Sequence, residues 1–148
     1  MQRPVRASHL VLLAALAFAA PLGGCQGGLL GSDPRAMAMA ALSEEAKNQV
    51  KGYLGDVDEV VALLGGVKDV SSALNTAPKL TPYVEKVQKG YSWISSQDAA
   101  TLDHIRTAFG PELGKSADAF TAQLDRIADG TSFGSILKPV LGQVKLFR

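Results

Sequence analysis

The chain has 148 residues, of which 15 are Lys or Arg, 14 are Asp or Glu, and 47% are hydrophobic. Such a near-neutral balance argues against a general nucleic-acid-binding protein, which needs a concentrated basic surface. With a single cysteine, the chain cannot form an internal disulfide.

The N-terminus is typical of an export signal. Residues 1–9 contain Arg3 and Arg6 and no acidic residue, and residues 10–20 form an unbroken apolar run, LVLLAALAFAA. A helix that crosses a bilayer needs about 20 apolar residues, so this run is too short to span one. A basic stretch followed by a short apolar run predicts a cleaved secretory signal. An uncleaved membrane helix beside an ordinary cysteine is the alternative.

A short motif for lipid attachment follows the apolar run. Leu22, Gly23, Gly24 and Cys25 resemble the lipobox of bacterial lipoproteins, in which an aliphatic residue and two small residues precede the cysteine. The resemblance covers residues 1–25. It implies that the Cys25 thiolate accepts a diacylglyceryl group and that Cys25 becomes the N-terminus after cleavage. The anchor of this family carries more than one acyl chain, which is what stable membrane binding requires.

The residue after the cysteine bears on location. In many Gram-negative lipoproteins an aspartate there favours retention in the inner membrane, whereas this chain has Gln26. The resemblance therefore implies a protein labelled by palmitate at the periplasmic face of the outer membrane, if the source cell has two membranes. Removal of residues 1–24, which hold two of the 15 basic residues and none of the 14 acidic ones, leaves a net charge of −1.

Three regions follow from these features. Residues 1–24 are the predicted signal peptide, residues 25–33 the lipid anchor with a flexible Gly-rich tether, and residues 34–148 the predicted helical domain. Asp33 followed by Pro34 has the pattern of a helix N-cap with proline in the first turn. At about 3.5 Å per residue, the tether keeps the domain within about 25 Å of the lipid.

The apolar residues of the domain repeat with helical spacing. Two stripes step by four and three residues along the chain: Val50, Leu54, Val57, Val61 and Leu64, and then Leu113, Ala117, Phe120, Leu124 and Ile127. No stretch sustains the alternation that indicates a half-buried strand. The pattern predicts an all-α fold, a small bundle of about four to six helices.

The segment from Val50 to Leu64 allows two interpretations, because it contains glycines and a capping pattern. Gly52 and Gly55 each disfavour a helix, and the spacing from Asp56 to Glu59 resembles a capping box. The segment is therefore expected to be one kinked helix or two abutting helices. A break is expected at residues 65–66, which are both glycine.

Prolines indicate two further breaks. The stretch at 75–82, NTAPKLTP, predicts a turn with Thr81 as N-cap and Pro82 in the first position of a new helix. The Gly-Pro pair at 110–111 predicts the start of another helix, which ends at Gly130.

The C-terminal stretch is apolar and basic. Residues 130–148 contain three basic residues and no acidic one. Their apolar residues again have helical spacing: Phe133, Leu137, Val140, Val144 and Phe147. Because Pro139 interrupts a helix, we expect a turn and then a short helix from about Lys138. This segment either packs onto the bundle or lies on a membrane as an amphipathic helix.

Trp93, Gln97 and His104 form a candidate patch for a protein partner. The stretch at 95–98, SSQD, either caps a new helix or lies within a longer one. In one continuous helix, Trp93 and His104 would be about 16 Å apart along one line. Trp is overrepresented in binding hot spots. The alternative is that Trp93 belongs to the core of a helix that contacts two neighbours.

Residues suited to catalysis are few. His104 is the one histidine that follows the signal. Its neighbour Asp103 would project about 100° away on a helix, so the two cannot form part of a Ser-His-Asp triad. The cluster DVDE at 56–59 lacks the glycine and the distal glutamate of a calcium loop. We therefore expect no enzyme activity, no cofactor and no bound metal.

Together these features favour a lipid-anchored protein of the cell envelope with a helical interaction or scaffold domain. Its expected partners are the membrane, through the lipid, and another envelope protein, but not nucleic acid. The alternative is a carrier or sensor that binds an apolar small molecule or lipid between its helices, because the chain is rich in small apolar residues and has few large aromatic ones. An enzyme built around His104 ranks third.

Overall fold

The computed structural model describes residues 33–128 and 132–148. These residues form five α-helices and no strand: α1 Pro34–Ala41, α2 Glu44–Gly65, α3 Val70–Ser95, α4 Ala99–Ala128 and α5 Gly134–Leu141. The predicted small all-α bundle is confirmed for this part of the chain. The predicted signal peptide, the lipobox at 22–25 and the tether up to residue 32 lie outside the described residues. No helix in the described ranges is long and apolar enough to cross a membrane.

Side-chain caps begin the first two helices. Asp33 caps α1 by accepting a hydrogen bond from the backbone N of Arg35 at 3.0 Å, and Pro34 lies in the first turn, as predicted. Ser43 caps α2 by accepting a hydrogen bond from the backbone N of Ala46 at 3.1 Å. Both caps satisfy backbone donors that the first turn of a helix leaves free.

α2 is a single helix that passes through Gly52 and Gly55. Each glycine costs about 1 kcal/mol relative to alanine in a helix interior. Buried side chains on the opposite face offset that cost: Val50, Tyr53, Val57, Val60 and Leu64. The helix therefore does not restart at Asp56, which lies in its interior.

α2 ends at Gly65, as predicted from the glycines at 65–66. Beyond this point the guanidinium of Arg126 donates hydrogen bonds to the carbonyl oxygens of Leu64 at 2.6 Å and Val67 at 2.8 Å. Arg126 thus satisfies carbonyl groups at the end of α2 and ties that end to α4.

The turn predicted at 75–82 is wrong, because α3 runs through Pro78 and Pro82. Both prolines are exposed, so water can hydrate the carbonyl groups that they leave without a helical donor. On the other face Leu80 is fully buried and Val84 is 5% exposed. Burial of that continuous apolar face outweighs the local signal for a turn.

α4 resolves two further expectations. Asp98 accepts a hydrogen bond from the backbone N of Thr101 at 2.8 Å, so a new helix begins after the stretch at 95–98. The break predicted at 110–111 is wrong, because α4 continues through the exposed Pro111. Buried residues on both sides of the proline hold the helix together: Ile105, Ala108, Phe109 and Leu113. The predicted end at Gly130 lies within residues 129–131, outside the described ranges.

The helices share one apolar core. α2 contacts both α3 and α4, while α1 packs on α4 and α5 packs on α3. All five helices contribute buried side chains to this core. A polar pair joins two of them, since the hydroxyl of Ser116 on α4 donates a hydrogen bond to Oδ1 of Asp58 on α2 at 2.9 Å.

The C-terminal segment packs onto the bundle, which was one of its two expected placements. Four of its apolar side chains are buried: Phe133, Leu137, Leu141 and Phe147. The backbone N of Phe147 donates a hydrogen bond to the hydroxyl of Tyr53 at 2.9 Å. The helix predicted from about Lys138 instead begins at Gly134 and passes through Pro139. In so short a helix the proline removes only one backbone hydrogen bond.

Candidate interaction groove

Trp93 lies where two surface hollows meet. One hollow, of about 340 Å³, lies between the start of α2 and the start of α4, and its lining includes Ser43, Glu45, Gln97 and Thr101. The other, of about 320 Å³, lies between α2 and α3, and its lining includes Gln49, Gly52, Asp56, Lys86 and Lys89. Trp93 lines both hollows. We call the two hollows together the Trp93 groove.

Two glycines shape the hollow between α2 and α3. A Cβ atom at Gly90 would lie 2.9 Å from Cδ2 of Tyr53, so glycine at this position lets the helices approach closely. Apart from the adjoining backbone of α2, no atom would lie within 4 Å of a Cβ atom at Gly52, so the absence of a side chain there leaves the hollow open. The hollow exists because α3 lies close to α2 while Gly52 has no side chain to fill the space between them.

The groove carries charge of both signs. In the hollow between α2 and α3, Lys86 Nζ lies 3.9 Å from Oδ1 of Asp56, and the exposed Lys89 has no ion pair with any described residue. Burial raises the pKa of the Asp56 carboxyl above its ordinary value, while the nearby Lys86 lowers it and Glu59 raises it. The other hollow contains the carboxylate of Glu45. One end of the groove is therefore cationic and the other anionic.

The predicted patch is only partly brought together. Gln97 Nε2 donates a hydrogen bond to the backbone oxygen of Trp93 at 2.9 Å, and both residues line the same hollow. Trp93 is partly buried and packs against the core, so it combines features of the two interpretations that the sequence allowed. His104 lies on α4 and lines neither hollow, because the helix break at 96–98 separates it from Trp93.

Sequence reasoning missed most of the polar lining of the groove. Glu45, Gln49, Lys86 and Lys89 come from helices whose pairing cannot be read from the periodicity of one helix. Gly52 is a partial signal, because Gly55 is also an exposed glycine of α2 and does not line the groove. A glycine on the exposed face of an apolar stripe leaves a gap that a neighbouring helix can border.

A second, more apolar hollow of about 450 Å³ lies between the end of α4 and α5. Its lining includes Leu124, Ile127, Leu141 and Lys138. Leu141 is buried and the other two apolar residues pack in or against the core, whereas Lys138 is exposed. The hollow is therefore apolar with one cationic group.

The side chains that line these surfaces can bind another molecule. The Trp93 groove combines an aromatic side chain with carboxylate, amide and ammonium groups, which can hold a polar or charged segment of a partner. Within the described ranges, no group of three or more His, Cys, Asp or Glu residues could hold a metal ion. No family model matches the chain, and no curated protein or solved structure shows a significant similarity to it.

Proposed function

We propose that this chain is a lipid-anchored protein of the cell envelope whose helical domain binds another envelope protein through the Trp93 groove. The anchor is Cys25, in a lipobox completed by Leu22, Gly23 and Gly24. Gln26 after the cysteine favours the periplasmic face of the outer membrane. The observation that carries the binding role is that Trp93 lines two adjoining hollows.

The form of the groove suits a protein partner. Trp is enriched among residues that dominate binding energy, and such residues lie in hollows surrounded by polar groups. Here Gln49, Lys89 and Glu45 supply the polar surroundings. The opposite charges at the two ends would fix the direction in which a partner segment lies. His104, around which the enzyme alternative was built, lines neither hollow of the groove.

Filling the groove tests this proposal. In Gly52→Arg the new side chain would occupy the hollow between α2 and α3, and Gly55→Arg is the matched control. Both glycines are exposed in α2 with no atom within 4 Å of an added Cβ, but only Gly52 lines the groove. Crosslinking in intact cells, followed by purification of the full-length lipoprotein, should recover an envelope partner with Gly55→Arg and lose it with Gly52→Arg.

The same experiment can refute the groove. Equal recovery of the partner with both variants would exclude the hollow at Gly52 as its binding site. Circular dichroism of the two variants checks that each remains helical. Trp93→Ala should also lose the partner, but its partly buried ring makes Gly52→Arg the cleaner substitution.

A carrier or sensor of apolar molecules is the second candidate function. The hollow between α4 and α5 favours it, because about 450 Å³ of space is lined by Leu124, Ile127 and Leu141. Such a volume falls within the range of small-molecule sites. Native mass spectrometry of the protein from its own cells would detect a retained lipid or other hydrophobic molecule. A mass equal to that of the acylated chain alone would remove the support for a carrier.

A further inference from the structure

One face of α4 and one face of α5 line the apolar hollow of about 450 Å³. On α4 the lining residues Leu124, Ile127 and Ala128 are three or four positions apart. On α5 the lining residues Lys138 and Leu141 are three positions apart. Residues with these spacings lie on the same side of a helix. Because α5 packs mainly on α3, its side toward α4 borders open space, and the two helix faces form the walls of a single site.

Apolar side chains form most of these walls. Ile127 and Leu141 are 3% and 5% exposed, and Leu124 is partly buried against the core. Ala128 and Gly134 also line the hollow, and their small size leaves its space unfilled. An alkyl chain placed there would gain about fourfold in affinity for each CH₂ group that it buries.

Lys138 is the one charged residue in the described lining of the hollow. It is exposed, and its ammonium group forms no ion pair with any described residue. The hydroxyl of Ser135, which also lines the hollow, already donates a hydrogen bond to the backbone oxygen of Ser132 at 3.1 Å. A lysine can lie with its aliphatic part along an apolar wall and its ammonium group in water. The hollow therefore offers one positive charge beside an apolar wall.

We propose that the hollow between α4 and α5 binds a long-chain fatty acid. Its alkyl chain lies against Leu124, Ile127 and Leu141, and its carboxylate meets the ammonium group of Lys138. A single cation complements a singly charged carboxylate, whereas a phosphate group carries more charge than one lysine neutralises. The volume is near the lower end of the range for small-molecule sites, which suits one alkyl chain better than the two chains of a phospholipid. The inference rests on the second candidate function, a carrier of apolar molecules, and specifies its ligand.

The proposed fatty-acid site and the Trp93 groove are separate surfaces. No described residue lines both of them. A bound fatty acid would therefore leave the groove open to a protein partner, and Gly52→Arg should not change fatty-acid binding.

Photolabelling of the full-length lipoprotein tests the ligand. The protein would be held in phosphatidylcholine vesicles with a dodecanoic acid that carries a diazirine, or with the corresponding alcohol, which has no charge. Mass spectrometry of peptides would locate the labelled residues. We expect the acid to label Leu124, Ile127 or Leu141, and we expect unlabelled dodecanoate to compete with it.

Substitution of the lysine tests the carboxylate contact. Lys138→Gln should weaken competition by dodecanoate about tenfold, because a neutral hydrogen bond replaces one between two charged groups. Lys138→Arg should retain the competition. Lys145→Gln is the matched control, since Lys145 is also exposed in the C-terminal segment but does not line the hollow. Labelling by the alcohol should be the same in all three variants.

Filling the hollow tests the place of binding. Ala128→Trp should abolish labelling by both probes, and Ala122→Trp should leave it unchanged. Both alanines are exposed on α4, but only Ala128 lines the hollow. Circular dichroism checks that both variants remain helical.

The outcomes separate this inference from the carrier function on which it rests. Equal competition by dodecanoate and dodecanol, or an unchanged affinity in Lys138→Gln, would overturn the fatty-acid proposal but keep a carrier of neutral molecules. Absence of saturable labelling by either probe would overturn both. Labelling that persists in Ala128→Trp would refute the hollow as the binding site.

Discussion

Gly90 is the described glycine with the least room for an added side chain, and it lies where α3 packs against α2. A Cβ atom there would lie 2.9 Å from Cδ2 and 3.1 Å from Cβ of Tyr53. The Tyr53 residue is only 3% exposed, and its hydroxyl is hydrogen-bonded to the backbone N of Phe147. The ring therefore has little room to move aside. Because Gly90 has no side chain, α3 can lie this close to α2. The spacing of the two helices in turn sets the width of the Trp93 groove.

Gly90→Ala should lower the free energy of unfolding by up to about 2 kcal/mol, because overpacking costs about 1 to 3 kcal/mol and alanine in a helix gains only about 1 kcal/mol. Gly55→Ala is the control and should stabilise the protein, since nothing lies within 4 Å of its added Cβ. Urea unfolding measures both changes. If the two variants stabilise the protein equally, the close contact with Tyr53 does not constrain the fold.

Tyr53 also predicts a response to alkaline pH. Burial raises the pKa of its hydroxyl above the ordinary value of 10.0, against the smaller opposing effect of the hydrogen bond from Phe147. Because the unfolded chain then loses this proton at a lower pH than the folded one, the associated stability is complete below about pH 10 and falls as the pH rises above it. Tyr53→Phe should cost about 1 kcal/mol at neutral pH through the lost hydrogen bond. The free energy of unfolding, measured with urea between about pH 8 and 11, should fall less steeply with pH for Tyr53→Phe than for the wild-type protein.

The helices α3 and α4 show where local sequence signals and tertiary packing disagree. The spacing of apolar residues identifies the helices correctly, because a helix of this bundle can be stable only if it buries a continuous stripe. The same stripes carry α3 through Pro78 and Pro82 and α4 through Pro111, where proline alone predicts a break. In each case the proline lies on the exposed face of its helix, so the lost backbone hydrogen bond does not disturb the packing of the core.

Pro82→Ala should therefore stabilise the domain, by between about 1 and 3 kcal/mol, since alanine restores a backbone donor in the middle of α3. Pro34→Ala is the control and should have little effect, because the first turn of a helix does not use that donor. Thermal unfolding followed by circular dichroism measures both variants. A loss of stability in Pro82→Ala would show that the proline contributes more to the folded state than it costs the helix.

At the scale of the whole molecule, the fold class could be predicted from the sequence but the groove could not. Periodicity identifies which side of α2 or α3 is buried, and capping residues such as Asp33 mark where a helix begins. Neither shows that Gly52 on one helix comes to lie beside Lys86 and Trp93 of another. That arrangement depends on the packing of α2 against α3, for which a single sequence carries no direct signal.

Cys25→Ser tests the proposed anchor without disturbing the domain. A hydroxyl does not replace the thiolate as acyl acceptor, so the variant should lose palmitate labelling and cleavage by the lipoprotein peptidase. Since the domain begins after Asp33, a chain that starts at Gln26 should be soluble and helical by circular dichroism. Wild-type protein that stays membrane-bound without labelling would identify residues 10–20 as a true membrane anchor instead.

The hydrogen bond between Tyr53 and Phe147 joins residues 94 positions apart in the chain. While the protein is being synthesised, α2 is complete long before residues 133–147 leave the ribosome. Until they do, the apolar surface that Phe133, Leu137 and Phe147 later cover stays open to water. A nascent chain that cannot close its core early remains unfolded for longer, and the general secretory route requires an unfolded chain. For the exported lipoprotein proposed above, late completion of the core would favour export before folding.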